Sequence, residues 1–136
     1  MRKHASLARV GIAALVLAIA IPAGISAPAQ AAGDIKIGVI TTTSGGLKSY
    51  GEAYTAGLEW GLNYYTKGTM KVGGSKLVLT KKDDGLDPAA ATAFFKEMVG
   101  SGTKIIVGTV GSGVALTLAP FAAQNKILYI SGPAKN

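Results

Sequence analysis

Short apolar runs alternate with amphipathic stretches through residues 35–130, and this alternation constrains the fold more than any other feature. The apolar runs at residues 35–40, 76–80, 104–108 and 127–130 predict four strands, of which the first, a β-branched run, is predicted to be buried. The segments between them, at about residues 49–67, 88–99 and 114–124, predict three helices. Strands that alternate with helices through short connections predict an α/β fold, a three-layer doubly wound parallel sheet with right-handed crossovers.

The first two predicted helices carry start signals and apolar stripes. Ser49-x-x-Glu52 matches a capping box, and Asp87 followed by Pro88 is a favourable N-cap pair. The stripe predicted to face the sheet from the first helix comprises Ala53, Ala56, Gly57, Trp60, Gly61 and Tyr64. That of the second helix comprises Ala91, Phe94, Phe95, Met98 and Val99. Trp60 and Tyr64 are thus predicted core residues, and Tyr54 and Tyr65 structural or surface residues.

The first 31 residues have the three-part layout of a secretory signal. A basic start precedes an uncharged apolar run at residues 10–21, and the small-x-small pattern Ala29-Gln30-Ala31 follows. The run is shorter than the roughly 20 apolar residues that a membrane-spanning helix needs. We therefore predict export, a cleaved signal peptide at residues 1–31, and no membrane span in residues 32–136.

The composition of residues 32–136 favours binding over catalysis. The chain has no cysteine, and its one histidine, His4, lies in the predicted signal, so a Ser-His-Asp triad, a cysteine nucleophile and most zinc sites are excluded. The eleven lysines of this part are scattered and accompanied by no arginine, which predicts no nucleic-acid partner. We predict no enzyme activity, no cofactor and no metal.

Two polar turns follow predicted strands and lead into helices, at residues 41–50 and 109–114. Carboxyl ends of parallel strands share one sheet edge, where small ligands bind. The backbone N–H groups of Ser112, Gly113 and Val114 would emerge from a helix start, which favours a carboxylate or phosphate. Ser112 could instead only cap its helix. Tyr50 lies at the other turn, where an aromatic ring could cover the apolar part of a ligand.

Asp83 and Asp84 follow the second predicted strand and have several interpretations. They could hold Mg²⁺ beside a phosphoryl-accepting aspartate, or act as a paired acid and base, or form a solvated acidic turn or cap. The arrangement with Mg²⁺ is that of receiver domains. These are cytoplasmic, so the predicted export argues against this interpretation. The glycines at 108, 111 and 113 match no dinucleotide-binding fingerprint in order or spacing.

Three segments resemble one known family. DIKIGVITTTSGGLKSYGEAYTAGLEWGLN, KLVLTKKDDGLDPAAATAFFKEMV and IIVGTVGSGVALTLAPFAAQNKILYISGPA resemble, in order, the first lobe of type I periplasmic solute-binding proteins of ABC importers, of the branched-chain amino acid (leucine-binding) class. The resemblance implies that Tyr50 packs against the ligand and that Ser112 receives its carboxylate. It also implies a contribution from the turn with Pro133 and Lys135, although Lys135 stands where a small hydroxylated residue is common.

The resemblance further implies two lobes that close on an amino acid or a similar small carboxylate, with a membrane permease as partner. Residues 32–136 correspond to an incomplete first lobe, so we expect a truncated, exported solute-binding protein, periplasmic or extracellular, that binds its ligand weakly alone. Two alternatives stay open from the residues: an extracytoplasmic sensing lobe of a receptor, and an exported flavodoxin-like enzyme domain.

Overall fold

A computed structural model describes residues 33–134, so the predicted signal peptide and Lys135 lie outside the described residues. The elements in chain order are β1 (Ile35–Thr41), α1 (Lys48–Tyr65), β2 (Lys71–Val72), β3 (Ser75–Asp83), α2 (Pro88–Gly100), β4 (Ile105–Gly108), α3 (Ser112–Gln124) and β5 (Leu128–Ile130). A short 3-10 turn, Gly45–Leu47, precedes α1.

The strands form one sheet in the order β2-β3-β1-β4-β5. β1 pairs in parallel with β3 and with β4, and β4 pairs in parallel with β5. The predicted α/β class and strand order along the chain are confirmed. Sequence reasoning missed β2, which pairs antiparallel with the start of β3. Gly73 and Gly74 connect β2 to β3, and their φ angles of 56° and 87° fit a tight hairpin turn.

The core occupies both faces of the sheet, as a doubly wound fold requires. On one face Ile40 and Ile106 pack with the buried sides of α2 and α3. On the other face Val39 and Val107 pack against α1. Successive strand residues point to opposite faces, so the neighbours Val39 and Ile40 serve different layers. α2 matches its prediction closely: Asp87 is the N-cap, and its side chain accepts a hydrogen bond from the backbone N–H of Ala89 at 2.8 Å.

The predicted capping box and the predicted inner face of α1 are both wrong. The helix begins at Lys48 with Leu47 as N-cap and no side-chain cap, so Ser49 lies inside the helix. Tyr54, Leu58 and Leu62 pack on the sheet instead of the predicted stripe.

Trp60 and Tyr64, predicted to lie in the core, are 70% and 67% exposed. Their rings stack on each other with centroids 5.5 Å apart. Tyr54, Leu58 and Leu62 recur at i, i+4 and i+8 and form the apolar stripe that packs on the sheet. Leu128 and Ile130 of the edge strand β5 are also largely exposed.

Candidate functional site

Turns from three strands meet at one edge of the sheet and enclose a cleft of about 380 Å³. The turns follow β1, β4 and β5, which are adjacent parallel strands. The residues that line the cleft are Leu47, Tyr50, Val110, Gly111, Ser112 and Pro133. The structure thus brings together three of the residues singled out from the sequence, Tyr50, Ser112 and Pro133.

The N-terminus of α3 forms one wall of this cleft. Gly111 is the N-cap, with φ −77° and ψ 121°, and its carbonyl accepts a hydrogen bond from the Ala115 N–H at 3.0 Å. Ser112 is therefore the first helical residue, and the alternative in which it is the N-cap is wrong. The N–H groups of a first helical turn have no carbonyl partner within the helix and carry its positive dipole end. This wall is suited to an anionic group.

Gly113 and Val114, the other two residues predicted at this helix start, differ in what they can offer. Gly113 is exposed, and a Cβ built there meets no atom within 4 Å, so its backbone can be approached closely. The side chain of Val114 is 2% exposed and belongs to the core. Val114 can therefore contribute only its backbone. Lys135 lies outside the described residues, so its role stays a prediction.

Tyr50 supplies the apolar wall opposite α3. It lies in the first turn of α1, three residues after the N-cap Leu47, which also lines the cleft, and is 65% exposed. An exposed phenol ring beside a leucine offers an apolar surface with a polar tip. The cleft therefore combines an anion-favouring helix start with an apolar flank, and it is open to solvent on one side.

Polar contacts among Thr109, Tyr129 and Tyr54 were missed by sequence reasoning. Thr109 is fully buried, and its Oγ1 lies 3.3 Å from Oη of Tyr129. Burial of Tyr54 raises the pKa of its phenol, a backbone hydrogen bond from Gly108 partly opposes this, and Tyr129 raises it further. Two apolar stripes compete on α1, so its periodicity alone could not have identified Tyr54 as an inward-facing residue.

The two acidic residues after β3 have different environments. Asp83 is exposed, and hydrogen bonds from the backbone N–H groups of Thr43 and Gly85 lower the pKa of its carboxyl, with burial opposing them slightly. Asp84 is only 2% exposed and accepts hydrogen bonds from Thr42 and Leu86. The interpretation as a solvated acidic turn or cap fits Asp83, whereas Asp84 is buried rather than solvated and its Oδ1 caps the backbone N–H of Leu86. Within residues 33–134 there is no group of three potential metal ligands from histidine, cysteine or carboxylate side chains.

A larger cavity of about 550 Å³ lies beside α1 and the end of β3. Its charged lining groups include Glu59 and Lys81, which form an exposed ion pair at 2.6 Å. Exposed ion pairs of this kind are well solvated and contribute little free energy, whereas open α/β sheets bind ligands at the carboxyl ends of their strands. The smaller cleft at the strand ends is therefore the better candidate site. Among the described helices, none is long and apolar enough to cross a membrane.

Comparison with protein families gives a match over nearly the whole described chain. A family model described as "Periplasmic binding protein" matches residues 34–136. A Leu/Ile/Val-binding protein homologue of Brucella melitensis is 31% identical over 121 residues, covering 88% of this chain and 32% of the relative. A Leu/Ile/Val/Thr-binding protein of Salmonella typhimurium is 33% identical, covering 76% of this chain and 28% of the relative.

Solved structures give the same result. An ABC-type branched-chain amino acid transporter protein from Rhodopseudomonas palustris superposes with a TM-score of 0.73 at 38% identity, covering 76% of this chain and 28% of that one. A branched-chain amino acid substrate-binding protein from Streptococcus pneumoniae, solved with isoleucine, gives 0.69 at 25% identity, with 76% and 30% covered. A solute-binding protein from R. palustris, solved with benzoate, gives 0.65 at 32% identity, with 73% and 27% covered.

These relatives are substrate-binding proteins of ABC transporters, and this chain spans about 30% of their length. The family consists of periplasmic binding proteins and not of enzymes, which confirms the prediction of no enzyme activity and implies export to the periplasm. The suspected resemblance is confirmed by the family match, by sequence identity and by the fold together. The chain belongs to the periplasmic binding protein family.

Proposed function

We propose that this chain forms the first-lobe half of a ligand site in an exported solute-binding protein that delivers small carboxylates to an ABC importer. The observation that carries the proposal is the cleft, in which the start of α3 faces Tyr50 and the turn containing Pro133. Capture requires no chemical step. It needs only groups that recognise the ligand and a second lobe that closes over it.

The substrate class follows from the two walls of the cleft. The helix start with Gly111 and Ser112 favours a carboxylate, and Leu47 with Tyr50 favours an apolar body. Isoleucine and benzoate, found with two of the solved neighbours, share this combination of one carboxylate and an apolar body. The ammonium group is present in isoleucine alone, so the half-site described here recognises what the two ligands have in common.

The affinity of this half-site is expected to be low. Tyr50 is 65% exposed, so a ligand in the cleft keeps one side in water and gains only part of the available burial. Residues 1–31 are proposed as the signal peptide that exports the chain, and a membrane permease as the partner of the complete binding protein.

Nuclear magnetic resonance on the exported product of the full 136-residue chain tests the proposal. Sodium benzoate and L-isoleucine are titrated to tens of millimolar, with benzamide and L-isoleucinamide as controls that lack the carboxylate. We expect the acids to shift the backbone amides of Ser112, Gly113 and Val114, with a Kd of about 1 mM or weaker, and the amides to leave them unchanged. Equal effects of acids and amides, or no shift at these residues, would contradict the proposal.

Two substitutions at Ser112 distinguish carboxylate binding by its backbone N–H from binding by its hydroxyl group. Ser112→Pro removes an N–H group at the first helical position, where proline is tolerated, and Gly111 before it already has extended dihedrals. Ser112→Ala removes only the hydroxyl group. If the helix start recognises the carboxylate, Ser112→Pro weakens benzoate binding more than Ser112→Ala does.

A further inference from the structure

We infer that the turn at residues 83–86, called here the bridging turn, is a positioning element that fixes the two walls of the cleft relative to each other. The inference rests on the proposed function, because it assigns a role in that same site. The bridging turn lines no part of the cleft. It contacts the turn after β1 on one side and the turn before α3 on the other.

The first contact joins the bridging turn to the end of β1 through three hydrogen bonds. The backbone N–H of Asp84 donates to the carbonyl of Thr41 at 3.1 Å. The hydroxyl of Thr42 donates to Oδ1 of Asp84 at 2.6 Å, and the backbone N–H of Thr43 donates to Oδ1 of Asp83 at 2.8 Å. Thr42 and Asp84 are 0% and 2% exposed, so water does not compete with their bond.

The second contact joins the bridging turn to the N-cap of α3. A Cβ built on Gly111 would lie 2.9 Å from Cδ2 of Leu86, so the leucine side chain packs directly on this backbone. The backbone N–H of Leu86 in turn donates to Oδ1 of Asp84 at 3.0 Å. One carboxylate oxygen thus accepts from Thr42, next to the first wall, and from Leu86, which packs on the second.

Stability alone does not account for Asp84. A buried carboxylate is costly to desolvate, and its Oδ2 has no hydrogen-bond partner within residues 33–134. Asp84 instead fixes the positions of Thr42 and Leu86 relative to each other, because one of its carboxylate oxygens accepts a hydrogen bond from each of them. The position of the helix start relative to Tyr50 then depends on residues that contact no ligand, as is general for sites of precise geometry.

Amide hydrogen exchange on the exported product of the full chain tests the inference without any ligand. Thr42→Val keeps the side-chain shape and removes the hydroxyl donor, and Thr42→Ser restores the donor. We expect Thr42→Val to raise exchange about tenfold at residues 43–48 and also at residues 111–115, the factor expected for one lost bond to a charged acceptor. Thr42→Ser should return both regions towards the original rates.

Two further variants separate positioning from a loss of overall stability. Leu86→Ala should raise exchange at residues 111–115 only, because it keeps the bonds to Thr42 and removes the packing on Gly111. Asp87→Ala, the matched control in the same loop, removes the α2 N-cap. Exchange at residues 43–48 and 111–115 should then rise no more than exchange in the rest of the chain. An effect of Thr42→Val confined to residues 43–48, or an equal rise throughout the chain, overturns the inference.

Benzoate binding distinguishes failure of the inference from failure of the proposed function. If the original chain shifts at Ser112 with benzoate, Thr42→Val should weaken binding at least threefold while Asp87→Ala does not. If it fails to respond to benzoate and isoleucine, the proposed function is wrong, and the exchange rates still decide whether the bridging turn couples the two walls. Unaltered benzoate affinity in Thr42→Val overturns the positioning role.

Discussion

Substitution by alanine should change the free energy of unfolding in opposite directions at two glycines of α1. A Cβ built on Gly51 falls well under 3.0 Å from the carbonyl oxygen of Thr42, which is backbone and cannot rotate away. A Cβ built on Gly57 meets no atom within 4 Å. Both residues lie inside the helix, so both substitutions gain the same intrinsic helix propensity.

The expected magnitudes follow from these contacts. Gly57→Ala should raise the free energy of unfolding by about 0.5–1 kcal/mol, the difference between glycine and alanine in an exposed helix interior. Gly51→Ala gains the same amount and loses about 3 kcal/mol or more to overpacking against fixed backbone. The net change is a loss of about 2 kcal/mol or more, and the two variants should differ by about 3 kcal/mol.

Urea unfolding of the two variants, followed by circular dichroism, measures this difference as a shift in midpoint at constant slope. Gly61→Ala is a second control, because its added Cβ also meets nothing within 4 Å. Destabilisation by Gly57→Ala would refute the reasoning, since it would mean that the stripe containing Gly57 faces the sheet. Little or no loss in Gly51→Ala would show that α1 does not lie against Thr42.

Three further predictions concern single side chains. Trp60 is the only tryptophan and is 70% exposed, so its fluorescence should be quenched strongly by iodide, and Trp60→Ala should change the free energy of unfolding by less than about 0.5 kcal/mol. The raised pKa of Tyr54 means that its stabilising contribution is complete below pH 10.0 and is lost as the pH rises above that value, so stability should fall more steeply there than in Tyr54→Phe. Asp87→Ala should cost about 1 kcal/mol in urea unfolding through loss of its bond to the Ala89 N–H, and an unchanged midpoint would contradict that role.

The elements predicted correctly are those whose signals are local. The β-branched runs of β1 and β4, the Asp87-Pro88 start of α2 and its apolar stripe each contain enough information within one segment. The convergence of Tyr50, Ser112 and Pro133 was also predictable, because parallel strands place their following turns at one edge whatever the side chains are. Topology alone therefore predicted the location of the cleft.

The orientation of α1 was not predictable from its periodicity, because two stripes compete on the same helix. One contains Trp60 and Tyr64 among small residues, and the other contains Leu58 and Leu62. The structure turns the leucines inward, and their partly buried side chains pack against the cluster that contains Val39 and Val107. The choice depends on the shape of a surface built from residues about 20 and 50 positions away, and no pattern within α1 records it.

The role of Asp84 shows the same limit within the site. Its sequence context, two adjacent acids before a glycine, is equally compatible with a solvated turn, and Asp83 next to it is exposed. What separates the two is Thr42, which lies 42 positions earlier and reaches Asp84 only because β1 and β3 pair in parallel register up to Thr41 and Asp83. A register shift of one residue would turn Asp83 inward in place of Asp84, since successive side chains point in opposite directions. The geometry of the cleft walls thus depends on strand pairing, which neither wall's own sequence specifies.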